Sequence, residues 1–195
     1  MDMEFKALVK ARRSCRSFET SSVSEEQLTA ILDAGRWAPS PLNQQPWEFI
    51  VITDPGTKAQ VRKVTEEAMQ LVIDNGGPGW AAKYSAGFLE EAPVLVIVVF
   101  DPSKGGLGNF FGQKYGALQA ASACVQNMLL KATDLGLGTL WFTWFEPDKL
   151  QELLNIPENL EIAAVVPIGI PKDPVKAPPR KDPKIHRESY EKGVD

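Results

Sequence analysis

The sequence contains few of the side chains on which metal-dependent and nucleophilic enzymes depend. Its 195 residues include one histidine, His186, which lies in a polar C-terminal segment, and only two cysteines. The sequences CxxC, HExxH, GxxxxGK[ST] and GxSxG do not occur. The sequence therefore has too few histidines for a histidine-rich metal site, and a nucleophile–histidine–acid triad could use only His186. We expect any enzymatic chemistry to come from a bound cofactor.

Long hydrophobic runs and an excess of positive charge are also missing. The longest apolar run, Val94 to Phe100, is far shorter than the roughly 20 residues of a membrane-spanning helix. The net charge of -4 favours neither nucleic acid nor a membrane surface as a partner. The segment MDMEFK lacks the apolar stretch of a signal peptide, and Cys15 and Cys124 are typical of free thiols. We therefore expect a cytoplasmic protein.

The hydrophobic pattern predicts one α+β or α/β domain that spans residues 1–195, since this length is typical of one domain. We expect helices at 5–12, 24–38, 56–74, 113–135 and 147–154, and strands at 47–53, 94–100, 139–145 and 161–168. Ser24 and Gln27 are expected to form a capping box at the start of the second helix, and Pro147 is expected to start the last helix. The helix at 113–135 is expected to be the longest and, being rich in alanine, to lie in the core or at a subunit contact. If the first helix continues past Arg12, Arg16 lies on the same face.

Three segments do not fit this pattern of helices and strands. Residues 80–92 are ambiguous, and residues 105–112 form a glycine-rich loop. Residues 170–195 are rich in proline and charge and cannot form a core of their own. The tail is therefore either disordered or wrapped over a surface, such as that of a partner subunit.

A cluster of basic side chains at Arg12, Arg13 and Arg16 is interrupted by Ser14 and Cys15. Arg12 continues the apolar stripe of the first helix, and a buried guanidinium without a partner is costly. A phosphate pairs well with arginine and also accepts a hydrogen bond from a serine hydroxyl. The alternative is a solvated basic helix end, which suits the helix dipole. Both interpretations remain open on the spacing alone.

Two further segments could contribute to the same site. Asn43 and Gln45, within the proline-rich segment 39–47, carry amides that suit the polar edge of a heteroaromatic ring, although an ordinary loop is the simpler interpretation. Arg180 and Lys181 are solvated charges when considered alone. If the tail folds back, they complete the anion site.

Two residues at the end of a predicted strand, Thr143 and Trp144, are weaker candidates. Ligands often bind at strand ends, but tryptophan is more often a core residue than a cofactor contact. The sequence contains five tryptophans, so one of them near a strand end is no strong signal.

Four motifs occur in a fixed order along nearly the whole chain. They are RRSCRSF at 12–18, APSPLNQQPW at 38–47, LGLGT at 135–139, and a C-terminal pattern that runs from PIGIP at 167–171 to PPRK at 178–181. Together they resemble the FMN-dependent nitroreductase family in its short form. The resemblance implies an α+β fold of three layers, in which helices flank a central mixed sheet. It also implies an obligate homodimer with FMN at the interface and a tail, 170–195, that wraps the partner.

The resemblance further implies which residues contact FMN. It assigns the phosphate to Arg12, Ser14 and Arg180, with Arg13 and Lys181 nearby, and the N1–C2=O edge of the flavin to Arg16. Backbone near Thr143 and Trp144 corresponds to the position that contacts N5. Contacts from the other subunit correspond to Pro39, Ser40, Leu42 and Asn43.

The activity that the resemblance implies is a ping-pong reaction without a side-chain acid or base. NADH or NADPH passes a hydride to flavin N5, and a small electron-poor acceptor such as a nitroaromatic or a quinone is then reduced. The same scaffold could instead perform reductive dehalogenation, enone reduction or oxidation of a bound substrate, which the segment 76–112 would decide. Two alternatives belong to other functional classes. One is a flavin-binding module without catalytic activity, and the other is an interaction protein whose basic residues are only solvated surface charges.

Overall fold

The computed structural model describes residues 4–190. The elements follow one another as α1 (Phe5–Ala11), α2 (Glu25–Arg36), β1 (Trp47–Ile52), α3 (Pro55–Asp74), α4 (Phe88–Glu91), β2 (Val94–Phe100), α5 (Gly116–Asp134), β3 (Gly138–Thr139), α6 (Pro147–Leu154) and β4 (Glu161–Gly169). Short 3-10 helices lie at Pro41–Asn43, Ala81–Lys83 and Gly106–Phe111. Residues 1–3 and 191–195, which belong to the expected domain and tail, lie outside the described residues. Among residues 4–190, none of the helices combines the length and the apolar character needed to cross a bilayer.

The four strands form one sheet in the order β1-β2-β4-β3. Every ladder in it is antiparallel, with Trp47 opposite Phe100 and Val94 opposite Ile168. The sheet was expected to be mixed, but among the described residues parallel pairing occurs only as an isolated bridge between Ser14 and Thr139. Neighbouring strands therefore enter the sheet from alternate ends.

Both faces of the sheet are covered by helices, which confirms the three-layer α+β architecture. Strand β2 is buried along its whole length. Its even-numbered side chains, from Val94 to Phe100, belong to a core formed with α2 and α5. Its odd-numbered side chains, from Leu95 to Val99, belong to a second core formed with α3, α4 and α6. Alternation across a strand thus explains why the segment is continuously apolar.

Helix α2 packs closely on α5. The predicted capping box at its start is present, since Gln27 N donates to Ser24 Oγ at 3.1 Å and Ser24 N donates to Gln27 Oε1 at 3.0 Å. Near its end, a Cβ atom on Gly35 would lie only 2.8 Å from Met128 Cγ. The small residues of α5, including Ala117 and Ala121, are buried, so the expectation of a core position for this helix is confirmed.

Helix α1 ends at Ala11, so the condition under which Arg16 would share its face is not met, and Phe5 on its apolar stripe is 71% exposed. Two other local predictions were wrong. The strand expected at 139–145 is reduced to Gly138–Thr139 and one bridge from Phe142 to Val165. The ring of Phe142 packs on Phe88 of α4, and the ring of Trp144 packs on Tyr84. The longest helix is α3, with 20 residues against 19 in α5.

The tail begins beside residues 12–18, which we call the basic segment. Glu19 N donates to Ile170 O at 2.8 Å, and Lys172 N donates to Ser17 O at 3.2 Å. Beyond this point, residues 172–190 form neither helix nor strand, and most of them are exposed. The first residues of the tail are thus docked on the chain's own N-terminal region.

Candidate functional site

A cavity of about 880 Å³ lies between the end of α1, helix α5 and the tail. Its volume is within the range of about 300–1,000 Å³ that is typical of small-molecule sites. The cationic residues that line it are Lys10, Arg12, Arg13, Arg16, Lys176 and Arg180. None of the described residues that line it is acidic. We call this space the cationic cavity; its composition favours an anionic ligand.

Arg12 is held at the cavity without electrostatic compensation from the residues nearest to it. It follows the last turn of α1, where its N–H donates to Leu8 O at 3.1 Å before the backbone leaves the helix. Burial, and then the positive charges of Arg180 and Arg13, lower the pKa of Arg12. The two arginines predicted to share a ligand are therefore close enough to repel each other. An anion bound between them would remove that cost.

Arg13 also has unused hydrogen-bonding capacity. Its Nη1 donates to Arg12 O at 2.7 Å. Its Nε is buried and has no hydrogen-bond partner within residues 4–190. A buried donor left unpaired costs about 1–3 kcal/mol. The fit of the cationic cavity to a ligand with several strong acceptor oxygens, such as a phosphate monoester, rests on the arginines and Ser14 that line it.

Strand β3 positions the basic segment. Cys15 N donates to Thr139 O at 2.8 Å, beside the parallel bridge from Ser14. A Cβ atom on Gly138 would lie 2.9 Å from both Cys15 Cβ and Pro171 Cγ. The absence of a side chain at Gly138 thus allows the basic segment and the start of the tail to pack against the same edge of the sheet.

The two cysteines are packing residues. Burial raises the pKa of Cys15, whose Sγ donates to Ser17 O at 3.2 Å. Burial also raises the pKa of Cys124 to about 12. Both shifts favour the protonated thiol at neutral pH, which is the less nucleophilic form.

Arg16 connects the cationic cavity to an aromatic cluster that the sequence did not reveal. Its Nε donates to Tyr84 Oη at 3.0 Å. The ring of Tyr84 lies 5.5 Å from that of Trp144, which in turn lies 5.4 Å from that of Trp80. Trp80 is 60% exposed. We call Trp80, Tyr84 and Trp144 the aromatic wall; the available signal was the spacing of four residues from Trp80 to Tyr84 and on to Phe88.

Thr143 and Trp144, the candidate cofactor contacts at the end of a predicted strand, lie at this wall and not among the residues that line the cavity. Trp144 is half-buried within it, and Thr143 is exposed next to it. Tyr84 joins them to the cavity through Arg16. Lys181 is exposed and does not line the cavity, although its neighbour Arg180 does.

The segment with Pro39, Ser40, Leu42, Asn43 and Gln45 does not line the cationic cavity of its own chain. It has an unusual backbone, since Leu42, Asn43 and Gln45 all have positive φ. Its conformation is fixed by Gln45 N, which donates to Ser40 Oγ at 3.0 Å, and by Gln45 Nε2, which donates to Asn43 Oδ1 at 3.3 Å. Such strain in residues other than glycine is concentrated at functional sites.

Comparison with known proteins shows a consistent set of similarities. The model of the nitroreductase family matches residues 9–170. A protein of Archaeoglobus fulgidus, provisionally named an NADH dehydrogenase/NAD(P)H nitroreductase, is 32% identical over 191 residues, or 94% of this chain and 97% of that protein. The iodotyrosine deiodinase of Thermotoga neapolitana is 28% identical, over 90% of this chain and 92% of its own. The crystal structure of an oxidised iodotyrosine deiodinase bound to FMN and 3-iodo-L-tyrosine has a TM-score of 0.85 at 26% identity, covering 96% of this chain and 100% of that one.

Proposed function

Since the chain belongs to the nitroreductase family and is an oxidoreductase, we propose that it binds FMN, takes electrons from NADH or NADPH and reduces electron-poor acceptors such as nitroaromatics or quinones. The observation that carries this proposal is the cationic cavity, which Arg12 and Arg180 line together although they are far apart in sequence. The proposal explains why so much positive charge is gathered there without acidic neighbours.

In this proposal, Arg12, Ser14 and Arg180 hold the FMN phosphate, and Arg13 and Lys181 add positive charge nearby. When bound, FMN supplies a two-electron redox chemistry that none of these side chains could supply. Arg16 holds a positive charge beside the pyrimidine edge of the flavin, where negative charge accumulates on reduction. Backbone near Thr143 and Trp144 contacts the flavin from the side of the aromatic wall. No side chain needs to act as an acid or base.

We also propose that the protein is a homodimer in which each copy completes the other's site. Pro39, Ser40, Leu42, Asn43 and Gln45 would reach the partner's flavin, because they do not line the cavity of their own chain. Large apolar side chains are exposed near this segment, with Phe110 at 83% and Phe111 at 81%, and patches of this kind mark interfaces. The tail would pack on the partner subunit. Two free cysteines are in keeping with a reducing compartment such as the cytoplasm.

The aromatic wall favours flat, electron-poor acceptors. Trp80 meets both Tyr84 and Trp144 at steep interplanar angles of 69° and 74° and keeps most of its own surface exposed. An exposed indole stacks well on a planar ring, an interaction worth about 1–3 kcal/mol when it is removed by truncation. We therefore place the acceptor against Trp80.

Trp80→Leu is expected to lower kcat/KM for p-nitrobenzoate about tenfold, since the lost stacking is worth about 1.4 kcal/mol. Hexacyanoferrate(III), which has no ring to stack, is expected to react within about twofold of the wild-type rate by the same reasoning. Steady-state kinetics with both acceptors at saturating NADH or NADPH measure the difference. An equal loss with both acceptors would show that Trp80 does not bind the acceptor.

One anaerobic absorption experiment tests the proposed function. The purified protein is expected to be yellow, to lose its flavin absorption on addition of NADH or NADPH, and to regain it with p-nitrobenzoate or a quinone. A yellow protein that the nicotinamide nucleotides do not bleach would be a flavin-binding module without this activity. A colourless protein that does not take up added FMN would contradict the proposal altogether.

Reductive dehalogenation is the second candidate, because several of the similar proteins are iodotyrosine deiodinases. The same FMN site would serve a halogenated aromatic acceptor at the aromatic wall. Release of iodide from 3-iodo-L-tyrosine by the reduced protein would favour this candidate. Reduction of nitroaromatics without release of iodide would favour the first.

A further inference from the structure

Arg16 is an exposed side chain whose guanidinium has an unusually specific partner. Its Nε donates to Tyr84 Oη at 3.0 Å, and its Cζ lies 5.7 Å from the centre of the Tyr84 ring. Its Nη1 makes only a longer contact of 3.4 Å with Ser14 O. A free arginine side chain has about 2 kcal/mol of rotamer entropy to lose when it binds a ligand. The Tyr84 oxygen removes part of that freedom in advance.

Tyr84 is itself held firmly by its neighbours. Its ring is half-buried and meets Phe88 at 6.2 Å and 87°, Trp144 at 5.5 Å and Trp80 at 6.4 Å. Phe88, the first residue of α4, is buried in the core. Ring packing on several sides fixes the direction of the phenolic oxygen. Tyr84 thus provides a rigid acceptor for a flexible cation.

We propose that Tyr84 is a positioning residue, which fixes the Arg16 guanidinium at the edge of the cationic cavity so that its Nη groups remain available to the flavin. The inference rests on the proposed function, because it assigns FMN to this cavity. Tyr84 acts through Arg16 and does not carry out chemistry. It belongs to residues 80–92, whose structure the sequence left ambiguous, so this part of the chain sets the orientation of a residue from the basic segment.

The direct test is Tyr84→Phe, which keeps the packed ring and removes the acceptor oxygen. We expect FMN affinity to fall about fivefold, the loss that follows from removing a single hydrogen bond to a charged group that is partly solvated. The midpoint potential of bound FMN is expected to fall as well, because the positive charge beside the reduced flavin is held less well. Tyr190→Phe is the matched control, since Tyr190 is exposed and stacks on His186; it is expected to change neither value.

A double-mutant cycle with Arg16→Ala separates positioning from a general structural role. If Tyr84 acts through Arg16, Tyr84→Phe has no further effect on FMN affinity or potential once Arg16 is alanine. A second readout needs no flavin. In ¹⁵N-labelled apoprotein, hydrogen exchange at Arg16 Nε–H is expected to be about fivefold faster in Tyr84→Phe than in the wild type.

The outcomes distinguish this inference from the proposed function. A wild-type protein that does not bind FMN overturns the proposed function, and the inference with it. If the wild type binds FMN and Arg16→Ala weakens binding, unchanged affinity, potential or Nε–H exchange in Tyr84→Phe overturns the positioning role alone. Fully additive effects of Tyr84→Phe and Arg16→Ala also overturn it. Loss of affinity and faster exchange that both vanish in the Arg16→Ala background support it.

Discussion

Arg12→Ala is expected to weaken FMN binding about 100-fold, since truncating one partner of a desolvated charge pair costs about 2–5 kcal/mol. The apoprotein, in contrast, is expected to be no less stable than the wild type. Burial and the charges of Arg180 and Arg13 lower the pKa of Arg12, which means that the folded apoprotein disfavours this cation. Fluorescence titration with FMN measures the affinity, and thermal unfolding of the apoprotein measures the stability.

Arg36→Ala is the matched control for this prediction. Arg36 is an exposed arginine that pairs with Asp33 at 2.6 Å on α2, and such surface pairs contribute about 0–1 kcal/mol. FMN affinity should be unaffected in this variant. An Arg12→Ala protein that binds FMN as tightly as the control would rule out a phosphate at Arg12. One that loses stability as apoprotein would show that Arg12 is compensated by groups other than the ligand.

Gly138→Ala is the second change with a large expected effect. The added Cβ would meet Cys15 Cβ and Pro171 Cγ at 2.9 Å and Cys15 Sγ at 3.0 Å. Overpacking of this kind costs about 1–3 kcal/mol of unfolding free energy. FMN affinity is also expected to fall, because Cys15 and Pro171 must move away from the added Cβ atom, which separates the basic segment from the start of the tail. Urea unfolding of the apoprotein and FMN titration measure the two effects.

Gly79→Ala provides the corresponding control. A Cβ atom at Gly79 would have nothing within 4 Å, so neither stability nor FMN affinity should fall. If Gly138→Ala unfolds at the same urea concentration as this control, the packing of the basic segment on β3 is less tight than the distances imply. If stability falls and FMN affinity does not, the two segments reach the ligand independently of their contact at Gly138.

Much of the fold could be predicted because its signals are local. The continuous apolar run at 94–100 indicated the central strand, the Ser24 and Gln27 pair indicated the start of α2, and Pro147 indicated the start of α6. The basic segment and Arg180 were predicted to meet if the tail folds back, and Arg12 and Arg180 do line the same cavity. The argument from the apolar stripe was weaker, because α1 has no buried residues. The roles of these residues toward an anion and toward FMN stay predictions.

The parts that could not be predicted depend on contacts between distant segments. Arg16 meets Tyr84 only because α4 and its preceding turn pack beside the basic segment, and the four-residue spacing from Trp80 to Phe88 does not indicate which segment these rings meet. The shortness of β3 also depends on distant contacts. A strand was predicted as far as residue 145, but the aromatic side chains of this segment pack on the aromatic wall and on Phe88. Side-chain packing here outweighs strand propensity.

The segment around Leu42 illustrates a different limit. Its sequence suggested amides held rigid for a ring edge, and the backbone is indeed fixed by Ser40 and Gln45. A single chain does not bring this segment to its own cavity, so its role can be judged only with a second copy present. The sequence therefore indicated which side-chain chemistry this segment offers, but it did not indicate which chain's cavity the segment lines.

The meeting of Arg12 with Arg180 has a consequence for the biogenesis of the protein. A ribosome delivers the chain from its N-terminus, so the arginines of the basic segment are synthesised long before Arg180. On the proposed assignment, a nascent chain binds FMN firmly only after Arg180 has left the ribosome and the tail has folded back onto the cavity. Retention of the flavin would therefore report that synthesis had passed this residue.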